Sequence, residues 1–251
     1  AIPALRDPPL LTMADMGMSG MDHGTMDHGS MDHGSMASPM APYAKPKSME
    51  AMGMAGMNMR DTSKLPPDVK VGPGIDMVSM NPVDRMGDPG LGLDTVGHRV
   101  LTYKDLVALQ PNDDLRTPSR RMEIHLTGNM ERYMWSFDGR KYTAVTDDPI
   151  RFAYDERVRV KLVNDTMMAH PIHLHGHFFE LVNGAPADRQ PQKHTVIVQP
   201  GGSAQFDLTA DEPGDWAFHC HLLYHMHAGM FQVVSVAKPS GAPDLKRVGE
   251  D

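Results

Sequence analysis

The sequence predicts an all-β fold of the Greek-key sandwich or barrel type, preceded by a Met/His-rich disordered tract and a Pro/Gly-rich linker. From Arg120 onward, apolar and polar residues alternate in short runs, which is the period of a half-buried strand. Turn-forming residues separate these runs, and no convincing long helix lies between them. About seven or eight short strands in a domain of ordinary size are typical of a sandwich or barrel.

The strands are predicted from individual apolar runs. Met122, Ile124 and Leu126 alternate with Glu123 and His125, so one face of this strand is expected to be buried. The further predicted strands cover residues 158–162, 178–182, 195–198, 204–208, 215–221 and 230–236. The turn signals between them are Asn183-Gly184, Pro200-Gly201-Gly202 and Glu212-Pro213-Gly214.

Composition divides the chain into five parts. Thirteen of the 23 methionines lie in residues 13–59, which contain no Val, Ile, Leu or Phe and therefore cannot bury enough apolar surface to fold alone. Residues 61–97 are rich in Pro and Gly and suggest a linker draped over a surface, while residues 101–109 form either a strand or a short helix. The expected parts are a tail of a preceding domain (1–12), the Met/His-rich tract (13–60), the linker segment (61–119), the β domain (120–238) and a C-terminal tail (239–251).

Charge and hydropathy exclude two kinds of partner. The net charge of −8 and the pI near 5.9 leave no basic stripe for nucleic-acid phosphates. No apolar run approaches the roughly 18 residues that a membrane span needs. The chain begins at Ala1 without the pattern of a signal peptide, so a mature product, a cleavage product and part of a longer protein all remain open.

Histidine and cysteine carry the chemical signal. The single cysteine, Cys220, excludes an intrachain disulfide and the Cys-rich zinc sites, whereas eight of the 14 histidines crowd between His170 and His227 even without His194. On a strand, Cys220 points to one face, and His219 and His221 point to the other. The histidines and the thiolate are therefore expected to serve two different metal sites.

On the cysteine face, the loop after the strand supplies His225 and Met230, and a second imidazole is expected from His170, at the end of a strand that Pro171 terminates. One Cys, two His and a weak axial Met are the ligands of blue copper. On the opposite face, the copper ligands are expected to be four histidines that share a site: His173, His175, His219 and His221.

The histidines also allow two less specific interpretations: a His-rich surface loop, or a zinc-binding site. We expect His98, His125 and His194 to be structural or solvated, because a lone histidine usually is. His177 and His227 sit beside the two motifs but off their faces, so they are expected to be non-ligands. The paired arrangement favours copper, because the residue types and spacings fit it on both faces.

The Met/His-rich tract is a candidate Cu(I) site, because thioether sulfur is a soft ligand that selects Cu(I). It contains the sequence Met-Asp-His-Gly three times, with a period of five residues. The alternatives are a disordered spacer and a methionine sink for oxidants. The candidate ligands are Met21, His23, Met26, His28, Met31, His33, Met36, Met52, Met54, Met57 and Met59.

The two histidine motifs resemble the third and fourth copper motifs of the multicopper oxidases. The family pattern His-Pro-x-His-x-His-Gly is matched by residues 170–176, and the His-Cys-His pattern with a later His and Met is matched by residues 219–230. The Met-rich tract, residues 127–135 and residues 213–216 look more particularly like the copper resistance protein A family of periplasmic oxidases. That closer resemblance covers nearly the whole chain.

The resemblance implies a cupredoxin domain and a role for each ligand. Type 1 copper would be held by His170, Cys220, His225 and axial Met230; type 2 copper by His173; and the type 3 pair by His175, His219 and His221. Cys220, His219 and His221 would carry electrons between the sites. The family's trinuclear cluster needs eight histidines, and the chain has no other His-x-His motif, so upstream cupredoxin domains of a longer, exported protein would supply the other four.

Two functions compete. The first is a component of a copper-resistance oxidase that oxidises Cu(I), with organic donors as further candidate substrates, while O2 is reduced to water in the periplasm. The second is a copper-sequestering or blue-copper electron-transfer protein without oxidase activity. The four histidines of the second face favour the oxidase, because an electron carrier needs none of them, whereas the missing partner histidines favour the carrier if the chain works alone.

Overall fold

The computed structural model describes residues 60–142 and 148–238. The predicted tail at 1–12, the Met/His-rich tract up to residue 59 and the C-terminal tail at 239–251 lie outside these residues. The described part of the chain forms β-strands with one short helix, α1 (Leu223–His227), and brief 3-10 turns. No helix within it is long and apolar enough to cross a membrane.

Within residues 60–142 and 148–238, twelve strands form two sheets. In chain order they are β1 (Val83–Asp84), β2 (Arg120–Asn129), β3 (Met134–Phe137), β4 (Ile150–Phe152), β5 (Glu156–Asn164), β6 (His170–Leu174), β7 (Phe179–Leu181), β8 (Gln192–Lys193), β9 (Thr195–Val198), β10 (Gly202–Ala210), β11 (Gly214–Cys220) and β12 (Phe231–Val236). The first sheet has the order β3-β2-β5-β10-β7-β8, with β1 also paired to β10, and the second has the order β4-β12-β11-β6-β9. The predicted all-β class is confirmed.

The core lies between the inward faces of the two sheets. Val158, Val160 and Leu162 of β5 are buried, as are Phe206 and Leu208 of β10 opposite them. Each such side chain stabilises the fold by about 1.5–3 kcal/mol when fully buried. The alternation that predicted these strands therefore reflects the packing of one face of each strand against the other sheet.

The predicted strands at 120–126, 158–162, 178–182, 195–198, 204–208, 215–221 and 230–236 are confirmed, with small shifts at their ends. Strands β1, β3, β4 and β8 were missed, because segments of two to four residues are too short to show a period. In the segment 101–109, the structure has a 3-10 turn at Tyr103–Asp105, so the short-helix alternative is the correct one there.

The expectation that Pro171 ends a strand is wrong, because Pro171 is the second residue of β6. Its carbonyl accepts a hydrogen bond from the His221 N–H at 2.6 Å. In a strand, the N–H and C=O of one residue point to the same side, so the missing donor of Pro171 also faces β11. The pairing of β11 with β6 runs as far as Cys220 and Ile172, so Pro171 lies where it ends and lacks only the reciprocal bond to His221.

The segment before β2 runs along the sandwich. The Lys70 N–H donates to the Asp138 carbonyl at 2.8 Å, and the Asp76 N–H donates to the Gly128 carbonyl at 3.0 Å. Val69, Val78 and Met86 of this segment are buried. Residues 70–76 therefore lie against the hairpin of β2 and β3.

Candidate metal centres

Strand β11 separates the two groups of candidate ligands. It pairs with β6 so that His219 lies opposite His173, and Cys220 lies opposite Ile172. Phe218 and Cys220 are buried in the core between the sheets. His219, one residue earlier than Cys220, faces the other side, as the two-residue period of a strand requires.

His170, Cys220 and His225 meet on the inner side of β11, and we call this group the cysteine site. Their ligand atoms all lie within 4.8 Å of one another, and all three residues are buried. The Cys220 Sγ is 3.6 Å from His170 Nδ1 and 3.9 Å from His225 Nδ1, and the two Nδ1 atoms are 3.1 Å apart. The two sequence motifs therefore bring these three residues together in one small, buried site.

Backbone hydrogen bonds close the loop that carries His225. The His225 N–H donates to the Leu222 carbonyl at 2.9 Å, which starts α1 directly after β11. The Met230 N–H donates to the His225 carbonyl at 3.0 Å, and the Met230 carbonyl accepts from the Cys220 N–H at 3.1 Å. Met230 is fully buried and belongs to the same hydrophobic core as Cys220.

A threonine fixes the orientation of the His170 ring. The Thr166 Oγ1 lies 2.7 Å from His170 Nε2, and the same hydroxyl lies 2.9 Å from Asn164 Oδ1. Since the Asn164 carbonyl oxygen can only accept, the hydroxyl donates to it and accepts the Nε2–H of His170. The Nδ1 of His170 is then left without a proton, facing the Cys220 sulfur.

Burial keeps the cysteine site neutral in the absence of a metal. It raises the pKa of the Cys220 thiol to about 11, against a smaller opposing effect of a backbone hydrogen bond. Burial, and then the nearby His225, lower the pKa of His170 to about 3, and burial lowers the pKa of His225. A metal that binds the thiolate must therefore displace its proton, so loading is expected to depend on pH.

Trp135 of β3 lies directly on the cysteine site. Its ring stacks on His225 with centroids 4.0 Å apart and planes at 22°, and it meets the His170 ring edge-on at 5.2 Å. In the sequence, Trp135 stands out only as part of a segment that resembles a family. The sequence near Trp135 did not predict its contact with the ligands, because β3 comes next to α1 only through the packing of the two sheets.

On the other side of β11, His173, His175 and His219 form a second group, which we call the histidine site. Their ligand atoms lie within 4.8 Å of one another, and His175 Nε2 is 3.0 Å from His219 Nε2. The fourth expected member, His221, is exposed and lies outside this group; its ring centroid is 5.6 Å from that of His173.

Main-chain carbonyls set the tautomers at the histidine site. The Nδ1 of His173 is 2.7 Å from the His194 carbonyl, and the Nδ1 of His219 is 3.0 Å from the Cys220 carbonyl. Because a carbonyl only accepts, both Nδ1 atoms carry the proton, and Nε2 is the free ligand atom. Burial is the largest of the effects that lower the pKa of both rings, so they are neutral near pH 7.

The remaining histidines are arranged differently. His98 and His227 are exposed. His125 is buried between Asp165, at 2.6 Å, and Glu123, at 3.0 Å; burial opposes its charge, but the two carboxylates outweigh burial and raise its pKa.

Two further histidines lie near the histidine site. His177 is buried, with its Nδ1 3.3 Å from the His175 carbonyl. His194 is exposed and places its Nδ1 3.3 Å from that of His173, so it lies closer to the histidine site than a lone surface histidine was expected to.

These features define a β-sandwich of the cupredoxin type with a thiolate–imidazole site. A family model described as "Multicopper oxidase" matches residues 116–240. The Copper resistance protein A homolog of Pseudomonas syringae pv. tomato is 43% identical over 236 residues, which cover 94% of this chain and 40% of the relative. Copper resistance protein A of Escherichia coli is 42% identical over 262 residues, covering 94% and 41%. The chain belongs to the multicopper oxidase family, whose members bind copper.

The chain spans about two fifths of the length of these curated relatives. A solved structure, the McoA multicopper oxidase of Aquifex aeolicus, is 23% identical, with 51% of this chain and 32% of that chain aligned at a TM-score of 0.44. All the candidate Cu(I) ligands of the Met/His-rich tract, from Met21 to Met59, lie outside the described residues.

Proposed function

We propose that the chain is the C-terminal part of a copper-resistance oxidase, which oxidises Cu(I), with organic donors as further candidate substrates, and reduces O2 to water. The observation that carries this proposal is the pair of unlike donor sets on the two sides of β11. One set combines a thiolate with imidazoles, and the other contains imidazoles alone. A protein that only stores or carries copper has no need for both.

The cysteine site suits type 1 copper. A thiolate and two neutral imidazoles in a buried space are soft and borderline donors of the kind that copper takes, and fully buried Met230 is the proposed axial ligand. Copper bound there would supply a centre that accepts and gives up one electron at a time. An axial methionine suits a moderate potential, which fits Cu(I) as the donor better than a resistant phenol.

The histidine site is proposed to hold a share of a trinuclear copper cluster: His173 for type 2 copper, and His175, His219 and His221 for the type 3 pair. His175 and His221 are exposed, which fits a site that upstream cupredoxin domains of the same longer protein would cover and complete. Those domains would supply the four further histidines that the family's cluster uses.

Residues of β11 and its end provide the connection between the two sites. Cys220 is covalently joined to His219 and His221, and the His219 Nδ1–H donates to the Cys220 carbonyl at 3.0 Å. An electron that arrives at the sulfur therefore has a short path through bonds to the histidine site. This arrangement suits a reaction in which donors give electrons singly and O2 requires four.

The Met/His-rich tract is proposed to collect Cu(I) for the cysteine site, in the periplasm of a bacterium. Its support is compositional, since thioethers and imidazoles alternate there without apolar partners. We expect deletion of residues 13–59 from the complete oxidase to lower Cu(I) oxidation at low copper and leave oxidation of an organic donor unchanged. Equal losses with both donors would instead identify the tract as a spacer.

Titration of the metal-free chain with Cu(II) tests the copper chemistry. We expect an intense blue band from the thiolate, absent in Cys220→Ser and retained in His227→Ala, which changes an exposed histidine. A blue band that survives in Cys220→Ser would overturn the assignment of the cysteine site.

The electron carrier remains a second candidate, because the cysteine site lies wholly within this chain while the histidine site holds only part of the expected ligands. An oxygen electrode separates the two functions. If the chain is part of an oxidase, the copper-loaded chain alone consumes no O2, and consumption appears when the upstream domains are present. Consumption that stays absent with those domains would favour the carrier.

A further inference from the structure

His225 is almost completely hidden although its helix is not. In α1, Leu223 is 59% exposed and Tyr224 is 80% exposed, whereas His225 is only 3% exposed. The ring that covers it belongs to Trp135, which stacks on the imidazole at 4.0 Å. A donor molecule therefore has no direct contact with this ligand from the side of β3.

Several features hold the indole in place. Trp135 is fully buried, and a Cβ at Gly128 would lie 2.7 Å from its Cε3, so only glycine leaves room for the ring. Its Nε1–H finds no hydrogen-bond partner in the described part of the chain. Because an unpaired buried donor is costly, a phenylalanine would satisfy packing alone at lower cost. The wide indole face, laid over His225, is what the position provides.

Tyr133 extends the aromatic cover to the surface. It is half exposed, and its ring lies edge-on to Trp135 at 6.0 Å and to His225 at 6.3 Å. Tyr133 has a φ of 50°, in the left-handed region that bulky residues avoid, and its N–H donates to the Met130 carbonyl in a tight turn. Backbone strain of this kind gathers at functional sites, where the surrounding structure enforces it.

We propose that Trp135 and Tyr133 are specificity-determining residues: buried Trp135 covers the His225 imidazole, and half-exposed Tyr133 presents the face that electron donors touch. The proposal rests on the proposed function, in which the cysteine site is type 1 copper. A donor loses one electron, the type 1 site gains it, and the two rings are unchanged at the end. Bulky aromatic donors, which would otherwise stack on the imidazole, are disfavoured relative to a small ion.

The first test needs no copper. The metal-free chain is treated with diethyl pyrocarbonate, and modification of each histidine is followed by mass spectrometry, with exposed His98 and His227 as internal standards. We expect His225 to react slowly in the wild type. We expect Trp135→Ala to raise its rate by roughly tenfold or more, since a buried group reacts only through local openings. Trp135→Phe, which leaves a narrower ring over His225, should raise the rate less than Trp135→Ala.

Tyr224→Ala is the matched control, because it removes an exposed aromatic ring from the same helix as His225. Fast modification of His225 in the wild type, or an equal increase in Tyr224→Ala, would overturn the proposal. If Trp135→Ala does not fold, Tyr133→Ala still decides the matter: a faster reaction of His225 supports the ring cover, and an unchanged rate contradicts it.

The second test uses the copper-loaded chain without oxygen. The blue band is bleached in a stopped-flow instrument by hydroquinone and, separately, by a small inorganic reductant. We expect Tyr133→Ala to speed bleaching by hydroquinone more than bleaching by the inorganic donor, and Tyr224→Ala to change neither rate. Equal rates in wild type and Tyr133→Ala with both donors would refute donor selection. Because the labelling test contains no copper, its failure would leave the proposed copper chemistry standing, while absence of a blue band would end that chemistry and leave the labelling result intact.

Discussion

Thr166 is expected to determine how well the cysteine site binds copper, although it is not a ligand. Its hydroxyl accepts the Nε2–H of His170 at 2.7 Å and so leaves His170 Nδ1 free to face the sulfur. Thr166→Val keeps the shape of the side chain and removes only the hydroxyl. Without the acceptor, the ring can move its proton to Nδ1, which blocks the ligand atom.

The size of the effect depends on which groups lose a hydrogen-bond partner. Thr166 is buried, so no water replaces the hydroxyl, and the His170 N–H is left unpaired at a cost of about 1–3 kcal/mol. Asn164 Oδ1 keeps its bond from the Thr166 N–H at 2.9 Å, but the Met168 N–H, which donates to the same hydroxyl at 3.3 Å, also loses its partner. Hydrogen-bond partners of metal-binding histidines typically change metal affinity by about 10–100-fold when they are removed.

Two measurements check this prediction: urea unfolding of the metal-free chain, and copper affinity by competition with a chelator. The control is Thr127→Val, because Thr127 is also buried and its hydroxyl bonds Ser136 at 2.8 Å instead of a histidine. We expect both variants to lose stability but only Thr166→Val to lose copper affinity. Equal affinities in Thr166→Val and the wild type would refute the tautomer argument.

Two further changes are expected to act on the fold. Gly128→Ala should lower the free energy of unfolding by about 1–3 kcal/mol, because the new Cβ meets Trp135 Cε3 at 2.7 Å, while Gly72→Ala, with open space around it, serves as the unaffected control in the same urea titration. Burial raises the pKa of Asp138 to about 6, so the native state binds this proton more tightly than the unfolded state, and stability from this group is lost as pH rises from about 4 through 6. The free energy of unfolding of the wild type, measured relative to that of Asp138→Asn, should therefore fall by up to about 3 kcal/mol over that range. Parallel pH profiles of the two proteins would contradict the assignment.

The division of the ligands between two sites follows from the sequence because it depends on local geometry. A two-residue strand period places Cys220 and His219 on opposite faces whatever the rest of the fold does. The same period predicted seven strands, because each of them buries one face along most of its length. Local rules fail where the surrounding strands decide, as at Pro171, which stays in β6 because it lies where the pairing with β11 ends.

The surroundings of the ligands could not be predicted in this way. Trp135 and His225 are 90 positions apart, and their stacking depends on how β3 and α1 meet across the two sheets. Thr166 is only four positions from His170, but its hydroxyl had no local signal until the loop after β5 was known. The sequence therefore predicts the donor atoms better than the groups that orient and cover them.

X-ray absorption at the copper edge is the most direct test of whether His170, Cys220 and His225 bind copper together. The chain would be loaded with one equivalent of Cu(II), and the same measurement made on Cys220→Ser. We expect one sulfur at a short thiolate distance and imidazole nitrogens in the wild type, with the short sulfur lost in the variant. A wild-type spectrum of nitrogen and oxygen alone, or one that Cys220→Ser leaves unchanged, would contradict a copper site built on Cys220.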